Sequence, residues 1–385
     1  MNSAAAISEL EACQNRLLNL FVELGEADSY RQYHPDLSPL GWHLGHCVYT
    51  ESYWIREVVM QTAVIDAWIK RLYIPELSDK SQRSGVLPGF HDLYSHAEQT
   101  QAENRRYLVE LSCAQSCHAL LDNQFLVHFL KQHYAQHLET SLYVLNQRTL
   151  KNPPAPDQSE PLRAQPLRPD TVTVNAGDYP IGSNGASPAY DNERPRFNCK
   201  LDAFAINRQP VSNGQYLKFM EEDGYENPEY WDEQGWQWRL ATGYRRPEHW
   251  RRDAAGCWYG VDLQGACTLQ SDAVLSGISY FEASAFAAWA GARLPHEYEW
   301  ETAKRQGLLQ RTGECWEWCA NEFHPYEGFR HFPYAGYSIP YFNNRHYTLR
   351  GGSRYTHTCI NRATFRNYYR PDKRHISAGI RLVLQ

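Results

Sequence analysis

The segment His133-Tyr134-Ala135-Gln136-His137-Leu138-Glu139 carries the plainest chemical signal in the chain. Two histidines four residues apart stand on one face of a helix, one turn above the other. That spacing lets two imidazoles reach a single metal ion. Glu139 follows His137 by two residues, roughly 200° further round a helix, and is expected to point elsewhere. A third ligand must come from another segment, and Trp42-His43-Leu44-Gly45-His46 offers one at either histidine. Cys47 sits about 100° round from His46 and is expected to pack. A pair at this spacing also occurs on plain solvated or packed helix faces; the second His-bearing helix sets this pair apart, because bundles draw metal ligands from facing helices. Three imidazoles with positions left open suit a metal that does chemistry rather than a closed structural site.

Helices must position these residues. Apolar residues recur at helical spacing over 5–25 (Leu10, Leu17, Leu18, Phe21, Leu24). Ser38-Pro39 has the form of a helix start, with Ser as N-cap and Pro at the first position. The helix that follows runs through Trp42, His46, Tyr49, Tyr53 and Ile55, and further helices fit 90–112 and 117–146. Four such helices make an antiparallel bundle over residues 1–150, in whose interior His46, His133 and His137 could meet. Residues 151–170 hold six prolines and are expected to be an extended linker. From 171 to 385 the texture changes to short strands (Thr171–Val174, Gly177–Tyr179, Phe204–Ile206), turns, and one or two helices near Ser212–Glu222 and Tyr280–Ala290. The expected fold class is α+β.

The bulk numbers narrow the functional classes. At 385 residues, two domains are expected, and 42% hydrophobic with 21% charged residues is an ordinary globular composition. A net charge of −6 argues against nucleic acid or an anionic membrane as partner. No apolar run is long enough to span a bilayer. Met1 to Leu20 carries Glu9 and Glu11 and lacks the basic start and apolar core of a signal peptide, so a cytoplasmic location is expected. Ten cysteines include C-x3-C pairs but no C-x2-C knuckle, and reduced thiols are expected. The 12 Trp, 26 Tyr and 14 Phe gather after residue 200, which suits aromatic packing or a pocket for a flat or cationic ligand.

Several stretches of the second half resemble the formylglycine-generating-enzyme domain, a C-type-lectin-like fold. They are Val174–Gly182, Asp191-Asn192-Glu193-Arg194-Pro195, Pro210-Val211-Ser212-Asn213, Ala292-Arg293-Leu294-Pro295, Trp316-Glu317-Trp318, Leu349–Ser353 and Gly379-Ile380-Arg381-Leu382. The first half resembles a DinB-type four-helix bundle. In this order, and with the His133–Glu139 motif, nearly the whole chain resembles the ergothioneine-type sulfoxide synthases, the EgtB family. The resemblance implies a non-haem Fe(II) enzyme that uses O2 to join sulfur or selenium to the imidazole C2 of hercynine, the betaine of histidine. It implies His46, His133 and His137 as iron ligands, His46 being preferred to His43 because the DinB-type pattern uses the second histidine of that segment. Gln136 and Asn367 match residues that contact the imidazole substrate. Tyr337 matches the catalytic tyrosine, with Tyr341 the rival position in the same loop. Three open positions on Fe(II) would gather imidazole, thiolate and O2 at one place, a phenol can donate a proton, and tyrosine faces suit a trimethylammonium.

This chain departs from the family where a γ-glutamylcysteine donor would be gripped. Tyr369 stands at the place of an Asp, Lys373 near that of an Arg, and Leu87 at about that of a second Arg. Three contacts for a zwitterion are thereby lost or changed, and Tyr in place of Asp removes the charge that an ammonium group requires. Tyr368, Tyr369 and Lys373 are then expected to bind a different donor, and a selenosugar, as in the related selenoneine synthases, suits tyrosines without paired charges. Selenoneine synthesis is thus the expected function, with an ergothioneine-type sulfoxide synthase using cysteine or γ-glutamylcysteine as the alternative. A copper-type formylglycine-generating activity requires two cysteines after Arg350–Ser353, where the chain has only Cys359. A non-catalytic lectin-like binder is the alternative of another class.

Overall fold

The computed structural model describes residues 3–62, 64–113, 118–153, 156, 159–168, 170–185 and 188–384. The chain divides into two compact units, Met1–Lys151 and Asn152–Gln385.

The first unit is helical. Helix α1 (Ser3–Ser29) buries Ala6, Leu10, Cys13, Leu17 and Phe21, a stripe at three- and four-residue spacing, and is interrupted at Gly25 with φ +76°. Helix α2 (Leu40–Ser52) is buried on every side from Leu40 to Glu51, as a central helix must be. It continues as a π-helical turn over Tyr53–Val59. A short helix, α3 (Ala67–Tyr73), follows. Helices α4 (Phe90–Cys113) and α5 (Phe125–Lys151) complete the bundle, in which both α1 and α2 pack on α4 and α5.

Two expectations are corrected here. Pro39, not Ser38, is the N-cap of α2, and no side chain caps it; the Ser38 hydroxyl accepts from Arg83 instead. The last helix begins at Phe125 after a 3-10 segment over Ala119–Gln124, and residue 117, its expected start, lies outside the described residues. Asn123 at φ +50° and the extended Asp122 break the helical path there.

The second unit is built from short strands and helices. Its first strands are β1 (Thr171–Val174), β2 (Gly177–Ile181), β3 (Phe197–Leu201) and β4 (Phe204–Asn207). Helices α6 (Asn213–Glu221) and α7 (Glu233–Thr242) come next, then β5 (Trp250–Arg252), β6 (Trp258–Asp262) and β7 (Gly265–Cys267). The remainder is α8 (Tyr280–Trp289), β8 (Ala292–Arg293), α9 (Glu297–Arg305), β9 (Trp316–Glu322), β10 (Tyr347–Arg350), β11 (Asn367–Tyr369), β12 (Ala378–Gly379) and β13 (Val383–Leu384). Capping boxes start α6 (Ser212 with Gln215) and α8 (Ser279 with Glu282). Helices α7 and α9 exceed the one or two expected; their aromatic and charged residues hide an apolar stripe. Among the described residues β1-β4-β13-β8 and β11-β10-β9-β12 form four-stranded sheets in those orders. Val174, Ile206, Trp300 and Val383 pack in the core. The proline-rich segment is not left loose: Arg163 N–H donates to Ser271 Oγ at 3.0 Å and Gln165 N–H to the Gly214 carbonyl at 2.9 Å.

Candidate functional site

In the bundle, α2 and α5 bring His46, His133 and His137 together. One ring nitrogen from each lies within 4.8 Å of the others. His46 is 7% exposed and its two nitrogens have separate tasks. Its Nδ1 lies 2.6 Å from the Tyr73 carbonyl, which can only accept, so Nδ1 carries the proton and Nε2 a lone pair. Nε2 faces His133 Nε2 at 3.1 Å. His137 Nδ1 lies 2.9 Å from His43 Nδ1. His43 thus touches His137 but is not one of the group of three. Glu139 accepts from the Tyr143 hydroxyl at 2.6 Å and takes no part in the group. Cys47 is fully buried, as expected of a packing residue.

These residues fit a metal ion. Two facing Nε2 lone pairs can share one proton, whereas a cation accepts both, and nitrogens about 2.1 Å from one ion at a right angle stand about 3 Å apart. Among the described residues His133 Nδ1 is a buried nitrogen without a hydrogen-bond partner, so it can carry the proton when Nε2 is turned to an ion. Burial pushes His46 down to about 4 and His43 to about 3, and holds His133 and His137 well below the ordinary imidazole range. Neutral imidazole is the form that ligates.

The local sequence explains the placement. Helix α3 ends at Tyr73, and the last carbonyls of a helix lack intrahelical donors. His46 takes the Tyr73 carbonyl and Trp42 Nε1–H takes that of Leu72 at 2.9 Å. A Cβ on Gly45 would come within 2.3 Å of the Tyr73 ring, so only glycine lets α3 approach this closely. Gln136 sits partly buried on α5, three residues after His133 and on the same side of the helix. Sequence reasoning missed Tyr73, whose short helix carries no side-chain cap, and the role of Trp42 beyond its place in the motif.

In the second unit, Tyr337 ends a 3-10 turn (Ala335–Tyr337) and Tyr341 the next one (Ile339–Tyr341). Between them fully buried Ser338 donates to Asp191 Oδ1 at 2.5 Å and accepts from Asn192 Nδ2 at 3.0 Å. The Tyr337 ring stacks on Tyr190 with centroids 4.2 Å apart. The Tyr368 hydroxyl donates to the Tyr337 carbonyl at 2.9 Å, and its ring packs on Phe323 and Tyr341 at 4.3 and 4.6 Å. Strand alternation in β11 turns Asn367 and Tyr369 to the face opposite Tyr368. Tyr368 therefore supports the Tyr337 turn, while Asn367 and Tyr369 present together, Tyr369 with its ring edge-on to His375. Lys373 Nζ pairs with Asp372 at 3.0 Å. In the first unit Leu87 packs against the cluster of Trp42, Tyr49, Leu72 and Tyr73. Sequence reasoning did not single out Ser338 or Asp191 as supports of the tyrosine turn, although Asp191 lay within a recognised motif.

The motif arginines of the second unit are buried ion-pair centres. Arg381 meets Glu317 at 2.6 Å and Arg350 meets Glu301 at 2.8 Å, all four fully buried. No helix among the described residues is long and apolar enough to cross a membrane.

Comparison with known proteins agrees with this architecture. Residues 9–141 match the DinB superfamily, and residues 157–312 and 304–385 match the sulfatase-modifying factor enzyme 1-like domain. The chain is 30% identical over 440 residues to the hercynine oxygenase of Mycobacterium tuberculosis, covering 97% of both proteins. It is 23% identical over 441 residues to ergothioneine biosynthesis protein 1 of Schizosaccharomyces pombe, covering 96% of this chain and 54% of that one. Similarity to the formylglycine-generating enzyme of Mus musculus, 28% over 151 residues, covers only 36% of the chain. Matched end to end, across both its helical bundle and its sulfatase-modifying-factor-like domain, the chain belongs to the hercynine oxygenase family of enzymes.

Proposed function

We propose that the chain is a non-haem iron(II) enzyme that uses O2 to form a carbon–selenium bond at the imidazole C2 of hercynine, with a selenosugar as donor. The observation that carries the metal reading is the convergence of His46, His133 and His137 with the proton of His46 fixed on the Tyr73 carbonyl. These three imidazoles would hold the iron, whose open positions supply O2 activation. Gln136 and Asn367 orient the imidazole of the substrate by hydrogen bonds, and Tyr337 Oη donates the proton that the reduced oxygen needs. Reduced thiols fit a cytoplasmic setting; the described cysteines are all free.

The donor reading rests on charge. Tyr369 brings a neutral ring where a donor's ammonium would need an acid, Lys373 is already paired with Asp372, and Leu87 is packed among aromatic rings. A selenosugar needs ring faces and hydroxyls, not counter-charges. The names of the curated relatives favour a second reading, an ergothioneine-type sulfoxide synthase using cysteine or γ-glutamylcysteine. One experiment separates the two. The full chain, reconstituted anaerobically with iron(II), is given O2, hercynine and equal amounts of a selenosugar, cysteine and γ-glutamylcysteine, and products are read by mass spectrometry. The selenosugar product should lead by at least about tenfold, since a buried unpaired charge costs about 1–3 kcal/mol. A lead for γ-glutamylcysteine places the chain with the sulfur enzymes.

A further inference from the structure

Arg83 is 2% exposed, yet among the described residues none of the acceptors its guanidinium reaches is a carboxylate. Nε donates to Ser78 Oγ at 3.0 Å, Nη1 to Ser38 Oγ at 2.5 Å, and Nη2 to the carbonyls of Pro75 and Ser78 at 3.1 and 3.0 Å. Burial draws its pKa down to about 10, with Asp79 and Glu76 offsetting part of the effect, so the group stays charged at neutral pH. A cation withdrawn from water without a direct counter-charge costs several kcal/mol.

The surroundings of Arg83 lead to His46. The guanidinium carbon lies 3.7 Å from the centroid of the Trp42 ring. That ring is stacked on the His46 imidazole, with centroids 4.7 Å apart and planes 9° from parallel. Trp42 and His46, one turn apart on α2, hang from the consecutive carbonyls of Leu72 and Tyr73 at the end of α3. Arg83 gathers the carbonyls of the chain just beyond, at Pro75 and Ser78. One buried cation therefore holds both the indole on which His46 rests and the segment that fixes its proton.

We propose that Arg83 is a positioning residue for His46, and that its charge, brought to the site through the Trp42 ring, favours iron(II) over iron(III) there. The inference rests on the three-histidine metal reading above. Its physical basis is that a fixed positive charge repels a trivalent ion more than a divalent one, and the low-dielectric interior screens this weakly. Arginine suits the task because its planar face stacks on indole while its edge donates to several carbonyls at once, which lysine cannot do.

The test uses the full chain and two variants, Arg83→Lys and Arg83→Met. Iron(II) affinity is measured anaerobically against a chromophoric chelator, and the iron(III)/iron(II) midpoint potential by mediated spectroelectrochemistry. Circular dichroism of the metal-free proteins checks folding. Arg83→Met, which loses the charge, should shift the iron(III)/iron(II) binding ratio at least about tenfold towards iron(III), a potential lower by about 59 mV. Arg83→Lys, which keeps the charge but not the stack, should hold the potential near wild type while losing about tenfold in iron(II) affinity, the scale of a lost orienting contact behind a ligand. A folded Arg83→Met with wild-type affinity and potential overturns the inference. If Arg83→Met does not fold, an Arg83→Lys chain that binds iron(II) as tightly as wild type overturns it instead. A wild-type chain that takes up no iron overturns the metal reading itself, and the role of Arg83 with it.

Discussion

His43 and His46 are three residues apart, both nearly buried, and the spacing of the motif does not choose between them. Two contacts favour His46 as the proposed third ligand: the Tyr73 carbonyl orients its ring, and His43 Nδ1 is taken up by His137 Nδ1. Neither partner could be read from the segment itself: one belongs to a seven-residue helix without a cap, the other to a different helix. By contrast His133 and His137 were legible, because helical periodicity alone puts them on one face. Replacing His46, His133 or His137 by Ala should abolish stoichiometric iron binding in an elemental assay, since two imidazoles hold iron(II) far less well than three. His43→Ala should still bind iron, about 10–100-fold more weakly, as expected when a ligand loses its orienting neighbour. The reverse pattern would make His43 the ligand. Tyr337→Phe should bind iron and hercynine as before and yield at least about tenfold less coupled product. An unchanged yield would move the proton-donating role to Tyr341, whose ring also packs on Tyr368.

Among the elements, α1, α2, α4 and α5 could be anticipated from their apolar stripes, but what lies between them could not. The π-helical turn after α2 and the short α3 leave no periodic signature, and Ser38 resembled a cap because its true partner, Arg83, comes 45 residues later. The bundle also holds a buried acid that sequence reasoning passed over. Glu51 on α2 accepts from Gln14 Nε2 at 3.0 and 2.9 Å and from the Tyr134 hydroxyl at 2.7 Å, and is fully buried. Burial pushes its pKa up to about 7 from 4.5. A folded-state pKa above the unfolded one means stability that is complete below about pH 4.5 and is lost as pH rises through about 7. The loss should amount to about 3 kcal/mol at most, at 1.36 kcal/mol per unit. Chemical denaturation of the metal-free chain followed from pH 5 to 8 should show this slope, and Glu51→Gln should flatten it. A slope of equal size in the variant would assign it to other groups.

For the whole molecule, the second unit was recognisable because its motif residues are fold determinants. The Arg of Gly379–Leu382 and the Glu of Trp316–Trp318 meet as the buried Arg381–Glu317 pair, which can tolerate little change. Removing one partner strands the other charge, so Arg381→Ala should lose about 3–5 kcal/mol, a fall in Tm on the order of 10 °C by calorimetry. Replacing both residues together by apolar ones should lose much less. A fall of only a degree or two in the single variant would mean that water reaches Glu317 there. The differences at Tyr369 and Leu87, on which the proposed donor preference rests, stood out only because the rest of the framework is so constrained.

A helix of seven residues has almost no stability of its own, and the trailing carbonyls of α3 are held by Trp42 and His46, with Arg83 holding the chain just beyond. The bond that orients His46 is therefore also a latch on a segment poised to fray. If the three histidines hold iron as proposed, metal escape and the fraying of α3 would be one event, and the lifetime of the bound ion would be set by how often the segment opens, not by the strength of a single ligand bond. Amide hydrogen exchange at Lys70–Ile74 should slow on iron(II) loading in step with the rate at which a chelator strips the iron.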